Sequence, residues 1–120
     1  MKKSSRISGF YKHALVERIE LIKTWASLDE NADAVLNGQR GMTDILADNM
    51  IENVIGIYGL PLGIATNFQI NQRDYLIPMV IEEPSVVAAC SFAAKLVRDG
   101  GGFTTSSTES LMIGQIQVLD

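Results

Sequence analysis

Ile64-Ala65-Thr66-Asn67-Phe68-Gln69-Ile70, then Asn71-Gln72-Arg73-Asp74, then Tyr75-Leu76-Ile77-Pro78-Met79-Val80-Ile81 is the stretch that decides the fold. In the first run Ile64, Phe68 and Ile70 fall on one side of an extended chain, with Asn67 and Gln69 on the other. That period of two is the mark of a half-buried strand. The third run is almost wholly apolar and reads as a second strand. The four polar residues between them form a tight connection, so the simplest pairing is a hairpin. Pro78 has no N–H to give to a ladder, which predicts a free side to the second strand at that point.

Working outward toward the C-terminus, Pro84 to Asp99 reads as a helix. Proline is favoured at the first helical position, which makes Glu83 the expected N-cap. Val86, Val87, Ala88, Ala89, Cys90, Phe92, Ala93, Ala94, Leu96 and Val97 wrap most of its circumference. A helix apolar nearly all round is expected to be buried. Gly100-Gly101-Gly102 should end it and serve as a hinge. Thr104 to Ser110 is a hydroxyl-rich loop, and Leu111 to Leu119, where Gln115 and Gln117 alternate with Ile116 and Val118, reads as a last strand. A final strand without a following partner, beside an oversized apolar helix, reads as the front part of a larger protein.

Working outward toward the N-terminus, Thr43 is the expected N-cap of a helix carrying Leu46, Ala47, Met50, Ile51 and Val54, stopped by Gly56. A short helix over 30–37 has Asp29 as N-cap and Gly38 past its end. From Ala14 to Leu28, Leu15, Ile19 and Ile22 form a stripe with Leu21, Trp25 and Leu28 beside it. Glu17, Arg18, Glu20 and Lys23 fill the polar face of this amphipathic helix. Residues 1–9 are polar and are expected to form a mobile arm. The fold class is therefore α/β in the mixed α+β sense: N-terminal helices, a β-hairpin and a long buried helix.

Composition narrows the function. The 120 residues are 47% hydrophobic and 20% charged, with ten Lys+Arg against fourteen Asp+Glu and a net charge of −4. That is one domain's worth of globular chain, too apolar for disorder throughout. No apolar run approaches the ~20 residues of a membrane-spanning helix. Scattered basic residues in an acidic chain argue against nucleic acid as a partner. Lys2 and Lys3 are not followed by the apolar run of a leader. One cysteine, Cys90, and one histidine, His13, leave no internal disulfide and no metal cluster, and fit a reducing, cytoplasmic setting.

Three segments stand out as candidates for chemistry: Glu52-Asn53-Val54-Ile55-Gly56 with the following Leu60 to Phe68, Glu82-Glu83-Pro84-Ser85, and the triple glycine with the loop after it. Glu52 and Asn53 near a helix end read by themselves as a solvated face or a cap. Glu82 and Glu83 are adjacent and point to opposite faces, so they are not a carboxylate dyad, and one of them is expected to face inward. If Glu83 is buried, desolvation favours its acid form, while a helix N-terminus favours the carboxylate. Ser85 has no nearby histidine and does not read as a nucleophile. The triple glycine matches neither a dinucleotide fingerprint nor a phosphate loop.

Taken together, these segments resemble the 3-hydroxy-3-methylglutaryl-coenzyme A reductase family. Glu52-Asn53-Val54-Ile55-Gly56 is a signature of that family. Leu60-Pro61, Gly63 to Asn71, Glu82-Glu83-Pro84-Ser85 and the opening Ser5-Arg6-Ile7-Ser8-Gly9-Phe10-Tyr11 resemble its second, bacterial and archaeal class. The resemblance runs in order along essentially the whole chain.

It implies interconversion of hydroxymethylglutaryl-CoA with mevalonate and CoA by two hydride transfers with NAD(H) or NADP(H), in a homodimer or higher homo-oligomer. Residues 1–110 would be the first part of the large, substrate-binding and dimerisation domain. Residues 111–120 would be the first strand of an inserted cofactor domain. Glu83 maps to the family's catalytic glutamate, a proton donor to the thioester carbonyl oxygen. Ser85 would hydrogen-bond the hydroxymethylglutaryl group, and Glu52 and Asn53 would support the subunit interface and the active site. The family's catalytic lysine, second aspartate and histidine have no counterpart here, His13 does not match, and the cofactor-binding residues are not identified. Gln72 stands where relatives often have glycine. A stand-alone interaction or CoA-binding module is the alternative function.

Overall fold

A computed structural model describes residues 3–118. After a single 3-10 turn at Phe10–Lys12 come helices α1 (Leu15–Ala26), α2 (Glu30–Leu36) and α3 (Asp44–Asp48). Strands β1 (Leu62–Ile70) and β2 (Arg73–Val80) and helix α4 (Val86–Asp99) follow. The mixed α/β class expected from the sequence is observed.

The hairpin forms where the alternation places it, with Leu62 opposite Val80 and Ile70 opposite Arg73. Its connection is shorter than expected. Only Asn71 and Gln72 lie between the strands, at φ 48° and 65°. Two successive positive φ values match the right-handed twist of paired strands, so a two-residue turn suffices. The register shifts by one residue between Ala65 and Phe68, leaving Thr66 and Asn67 opposite Leu76. Asn67 takes the extra length of this bulge at φ 69°. Among the described residues no strand lies on the far side of β2, where Pro78 was expected to leave the edge free.

Helix α4 lies across β1. Gly63 lets it approach, since a Cβ there would stand 3.2 Å from the Val87 side chain. The bulge is pinned to the same helix: Thr66 N–H donates to Ser91 Oγ (3.0 Å), and Asn67 Nδ2 donates to the Ser91 carbonyl (2.9 Å). The α4 expectations change in two respects. Its N-cap is Ser85 rather than Glu83, because the chain turns through φ 72° at Ser85 before entering the helix. The helix is covered on one side only: Ala94 is buried, while Phe92 and Leu96 are 61% and 58% exposed. A two-stranded sheet has no second layer to set against the outer face.

Gly100, Gly101 and Gly102 end α4 as expected, and Gly102 has a closer task as well. At φ 86° it passes so near β1 that a Cβ would meet the Gln69 carbonyl oxygen at 2.7 Å. Phe103 then bridges in parallel to Ile70 and stacks on Phe68, ring centroids 5.6 Å apart. Residues 111–118, expected as most of a last strand, have no regular structure, and Leu119 and Asp120 lie outside the described residues. An extended segment without a partner strand has nothing to pair its backbone groups with except water.

Helices α2 and α3 begin at the expected caps, with Asp29 accepting from Ala32 N–H and Thr43 from Leu46 N–H. Helix α3 stops at Asp48 instead of running on to Gly56. Asn49 carries its side chain back to the Ile45 carbonyl, and Asn53 sits at φ 57°, so the backbone leaves the helical path early.

The largest departure is the N-terminal arm, which from Ser5 is a packed element and not a mobile one. Ser5 is fully buried. Its N–H donates to Asp74 Oδ2 (2.8 Å), its hydroxyl to the Phe68 carbonyl (2.7 Å), and its carbonyl accepts from Asn67 N–H (2.9 Å).

Candidate functional site

The arm, β1 and the first turns of α4 enclose a groove of about 800 Å³. Ser8 to Tyr11 and Arg18 form one wall; Ile64, Thr66 and Asn67 line the floor; Ser85, Ala88, Ser91, Phe92 and Lys95 form the other wall. Its charged lining residues are Arg6, Arg18 and Lys95, with no acidic side chain beside them. In a chain of net charge −4 that sign is a local feature. Arg18 Nε is shielded from solvent and has no hydrogen-bond partner among the described residues. A groove of this lining suits an anionic ligand with an apolar body.

Ser85 stands at the start of α4 on this groove. Its backbone is left-handed (φ 72°), a conformation that costs a non-glycine residue about 1–2 kcal/mol. Its carbonyl accepts the first helical bond from Ala89 N–H (2.8 Å), but its hydroxyl makes no capping bond. The hydroxyl is therefore not committed to the helix end, where a serine ordinarily spends it. Glu83 lies two residues earlier on the loop that delivers Ser85. It is exposed, as is Glu82, so the inward-facing carboxylate expected from the sequence is not present within this chain. Neither residue lines the groove. Glu52 and Asn53 are exposed on the irregular segment after α3, and Val54 to Gly56 fold back beside Asp44, Ile45 and Asp48. The structure thus brings Ser85 to the groove, and leaves Glu83, Glu52 and Asn53 outside its lining.

Sequence reasoning missed the arm, Asn67, Ser91 and Lys95 as parts of this site. A signal existed: Asp74 and Arg98 are charged residues at the ends of otherwise apolar elements. Arg98 Nη2 donates to Asp74 Oδ2 at 2.9 Å, with the two side chains only 13% and 11% exposed. Burial alone would push the Asp74 carboxyl up. The Arg98 guanidinium, the Ser5 N–H and the Ser4 hydroxyl outweigh it and hold the group below its ordinary value. His13 is exposed after the 3-10 turn, its Nδ1 3.4 Å from Glu17 Oε2. Cys90 is half-buried on α4.

Comparison with known proteins bears on this site. The family model described as hydroxymethylglutaryl-coenzyme A reductase matches residues 14–120. The chain belongs to the hydroxymethylglutaryl-coenzyme A reductase family. The 3-hydroxy-3-methylglutaryl-coenzyme A reductase of Archaeoglobus fulgidus is 61% identical over 116 residues, covering 96% of this chain and 26% of that one. A probable reductase of the same name from Borreliella burgdorferi is 46% identical over 70 residues, 58% of this chain and 16% of that one. The class II reductase of Streptococcus pneumoniae, solved bound to NADPH in open conformations, superposes with a TM-score of 0.73 at 41% identity. That match covers 81% of this chain and 26% of that one. The chain spans about a quarter of the length of the Archaeoglobus and Streptococcus reductases it matches.

The nicotinamide cofactor of that Streptococcus pneumoniae structure is NADPH. The glycine-rich stretch of this chain does not form a dinucleotide-binding turn. The one glycine-rich stretch, Gly100-Gly101-Gly102, leads into no helix, and at Gly102 the Gln69 backbone fills the space a ligand would need. No helix among the described residues is long and apolar enough to cross a membrane.

Proposed function

We propose that this chain forms the acyl-CoA side of a class II hydroxymethylglutaryl-CoA reductase, the enzyme that interconverts hydroxymethylglutaryl-CoA with mevalonate and CoA using NAD(P)H. The observation that carries the proposal is Ser85, held in left-handed backbone geometry with its hydroxyl uncommitted, on a cationic groove, in a reductase-family chain. Arg6, Arg18 and Lys95 hold the phosphates of the CoA moiety, and the apolar lining takes its pantetheine arm. Ser85 hydrogen-bonds the hydroxymethylglutaryl group. Glu83, two residues away on the same loop, donates a proton to the thioester carbonyl oxygen as negative charge develops there. Glu52 and Asn53 support the neighbouring subunit of a homodimer or higher homo-oligomer. Residues 1–110 belong to the substrate domain and 111–120 to the start of the cofactor domain, and the setting is cytoplasmic. No step of hydride transfer is assigned to the residues of this chain.

The test uses a chimera joining residues 1–120 to the remaining three quarters of the Archaeoglobus fulgidus reductase, beside the 120-residue chain itself. The chimera should reduce hydroxymethylglutaryl-CoA, and Glu83→Gln should lower its turnover by about 10²–10⁴-fold with substrate affinity retained. Near-normal turnover in that variant assigns the proton to another group. The 120-residue chain should bind coenzyme A and show no substrate-dependent oxidation of NADH. NADH oxidation by the short chain overturns that division of labour.

A further inference from the structure

The N-terminal arm is the unexpected wall of the groove, and what holds it there lies outside the groove. Ser5 meets three elements at once: β2 through Asp74, β1 through the carbonyl of Phe68 and the N–H of Asn67, and α4 through Arg98. Arg98 spans the junction, one nitrogen on Asp74 and the other on Ser5 Oγ (3.1 Å) and the Asn67 carbonyl (3.4 Å). Beyond Ser5 the chain turns back through Ile7 N–H to the Ser5 carbonyl (3.1 Å) and so enters the groove wall. Neither Ser5, Asp74 nor Arg98 lines the groove.

We propose that Ser5, Asp74 and Arg98 are positioning residues, a latch that docks the arm as a wall of the groove and thereby sets how tightly the groove holds a coenzyme A ligand. The affinity half rests on the reading of the groove given above; the docking half does not. The physical basis is that an undocked arm leaves the β1 floor and the α4 wall of the groove without the fixed opposite wall that residues 6–11 supply. Ligand binding must then supply the ordering free energy that the latch has already supplied.

Trp25 is the only tryptophan in the chain, and its Nε1 donates to the Ser4 carbonyl at 3.0 Å, so its fluorescence reports arm docking. In the 120-residue chain, Ser5→Ala removes the hydroxyl but leaves the Asp74–Arg98 pair. Arg98→Lys keeps a charge for Asp74 but loses the two-nitrogen span. Both should speed amide exchange over residues 6–12 by about tenfold or more, since each removes charge-assisted bonds to a buried group. Both should expose Trp25 to acrylamide and raise the dissociation constant for coenzyme A about tenfold. Exchange over β1, β2 and α4 should stay as in the parent for Ser5→Ala, which leaves the Asp74–Arg98 pair intact, and should rise less than that of residues 6–12 for Arg98→Lys. Unchanged arm exchange and Trp25 quenching overturn the latch. So does a rise shared equally by residues 62–99, which is general destabilisation. If the parent chain binds no coenzyme A, the reading of the groove and the affinity half of the proposal fall together, and arm exchange still decides the docking half.

Discussion

At Gln72 the demands of the turn and the chemistry of the residue disagree. Its φ of 65° is one that a Cβ makes costly, and its Nε2 recovers little through a 3.3 Å bond to the Gly101 carbonyl. Gln72→Gly should therefore stabilise the chain by about 0.5–1 kcal/mol, the relief of the left-handed strain less the extra freedom glycine gives the unfolded state. A urea titration reads this as a higher midpoint at unchanged slope. A lower midpoint would mean that the bond to Gly101 outweighs the strain. Asn71, at the other turn position, is in a different situation. Its side chain donates to the Thr105 carbonyl and accepts from Thr105 N–H at 2.9 Å, tying the hydroxyl-rich loop to the hairpin. The positive φ at Gln72 followed from a turn position in a hairpin; that at Ser85 did not, because a Pro-Ser pair before an apolar run also fits an ordinary helix start.

Elements joined by Asp74 and Arg98 should respond to acid through that pair. The Asp74 carboxyl is held below its ordinary 3.8 in the folded chain, so its stabilising contribution is fully present above that value. It is lost as pH falls through the lower folded-state value, because protonation then favours the unfolded chain. Asp74→Asn should cost about 3 kcal/mol at neutral pH, leaving the Arg98 charge buried without its partner, and should flatten the stability profile below about pH 3.8. Urea titrations of both proteins from pH 7 downward check this; parallel acid limbs would place the sensitivity on another carboxylate. The hairpin, the N-caps at Asp29 and Thr43 and the glycine end of α4 were legible because each rests on local spacing and capping. The docked arm and the bulge at Asn67 were not, since Ser5 and Asp74 are 69 residues apart and no period in either segment points to the other. For the candidate site the same division holds. Ser85 was named through the family resemblance of Glu82-Glu83-Pro84-Ser85, its neighbours alone reading as a helix cap, whereas the groove it faces is assembled from three distant segments. Helix α4 misled because apolar residues all round say that a helix wants cover, not that this chain supplies it.

For the whole molecule that shortfall of cover can be put in numbers. A compact folded chain of 13.1 kDa exposes about 6,400 Å² and one of 120 residues has a radius of gyration near 14 Å. This one exposes 10,207 Å² and has a radius of gyration of 18.6 Å. The difference in area exceeds what a standard protein–protein interface buries, roughly 1,600 Å². It is also apolar in patches: Ile45, Met50, Ile51, Ile55 and Tyr58 around the Glu-Asn-Val-Ile-Gly signature, Phe92 and Leu96 on the outer face of α4, and Leu111 to Ile113 beyond it. Surfaces of that size and character do not stay bare in water. The 120-residue chain should therefore associate with itself at micromolar concentration, seen as a mass above 13.1 kDa that rises with concentration in sedimentation equilibrium. Ile51→Glu with Ile55→Glu should shift that equilibrium toward monomer by about tenfold or more, because both side chains are exposed in the single chain and a charge there harms only an interface. If the double variant associates like the parent, the contact lies on α4 instead, and Phe92→Glu should then break it. A parent that stays monomeric at high concentration would sink the argument from area altogether.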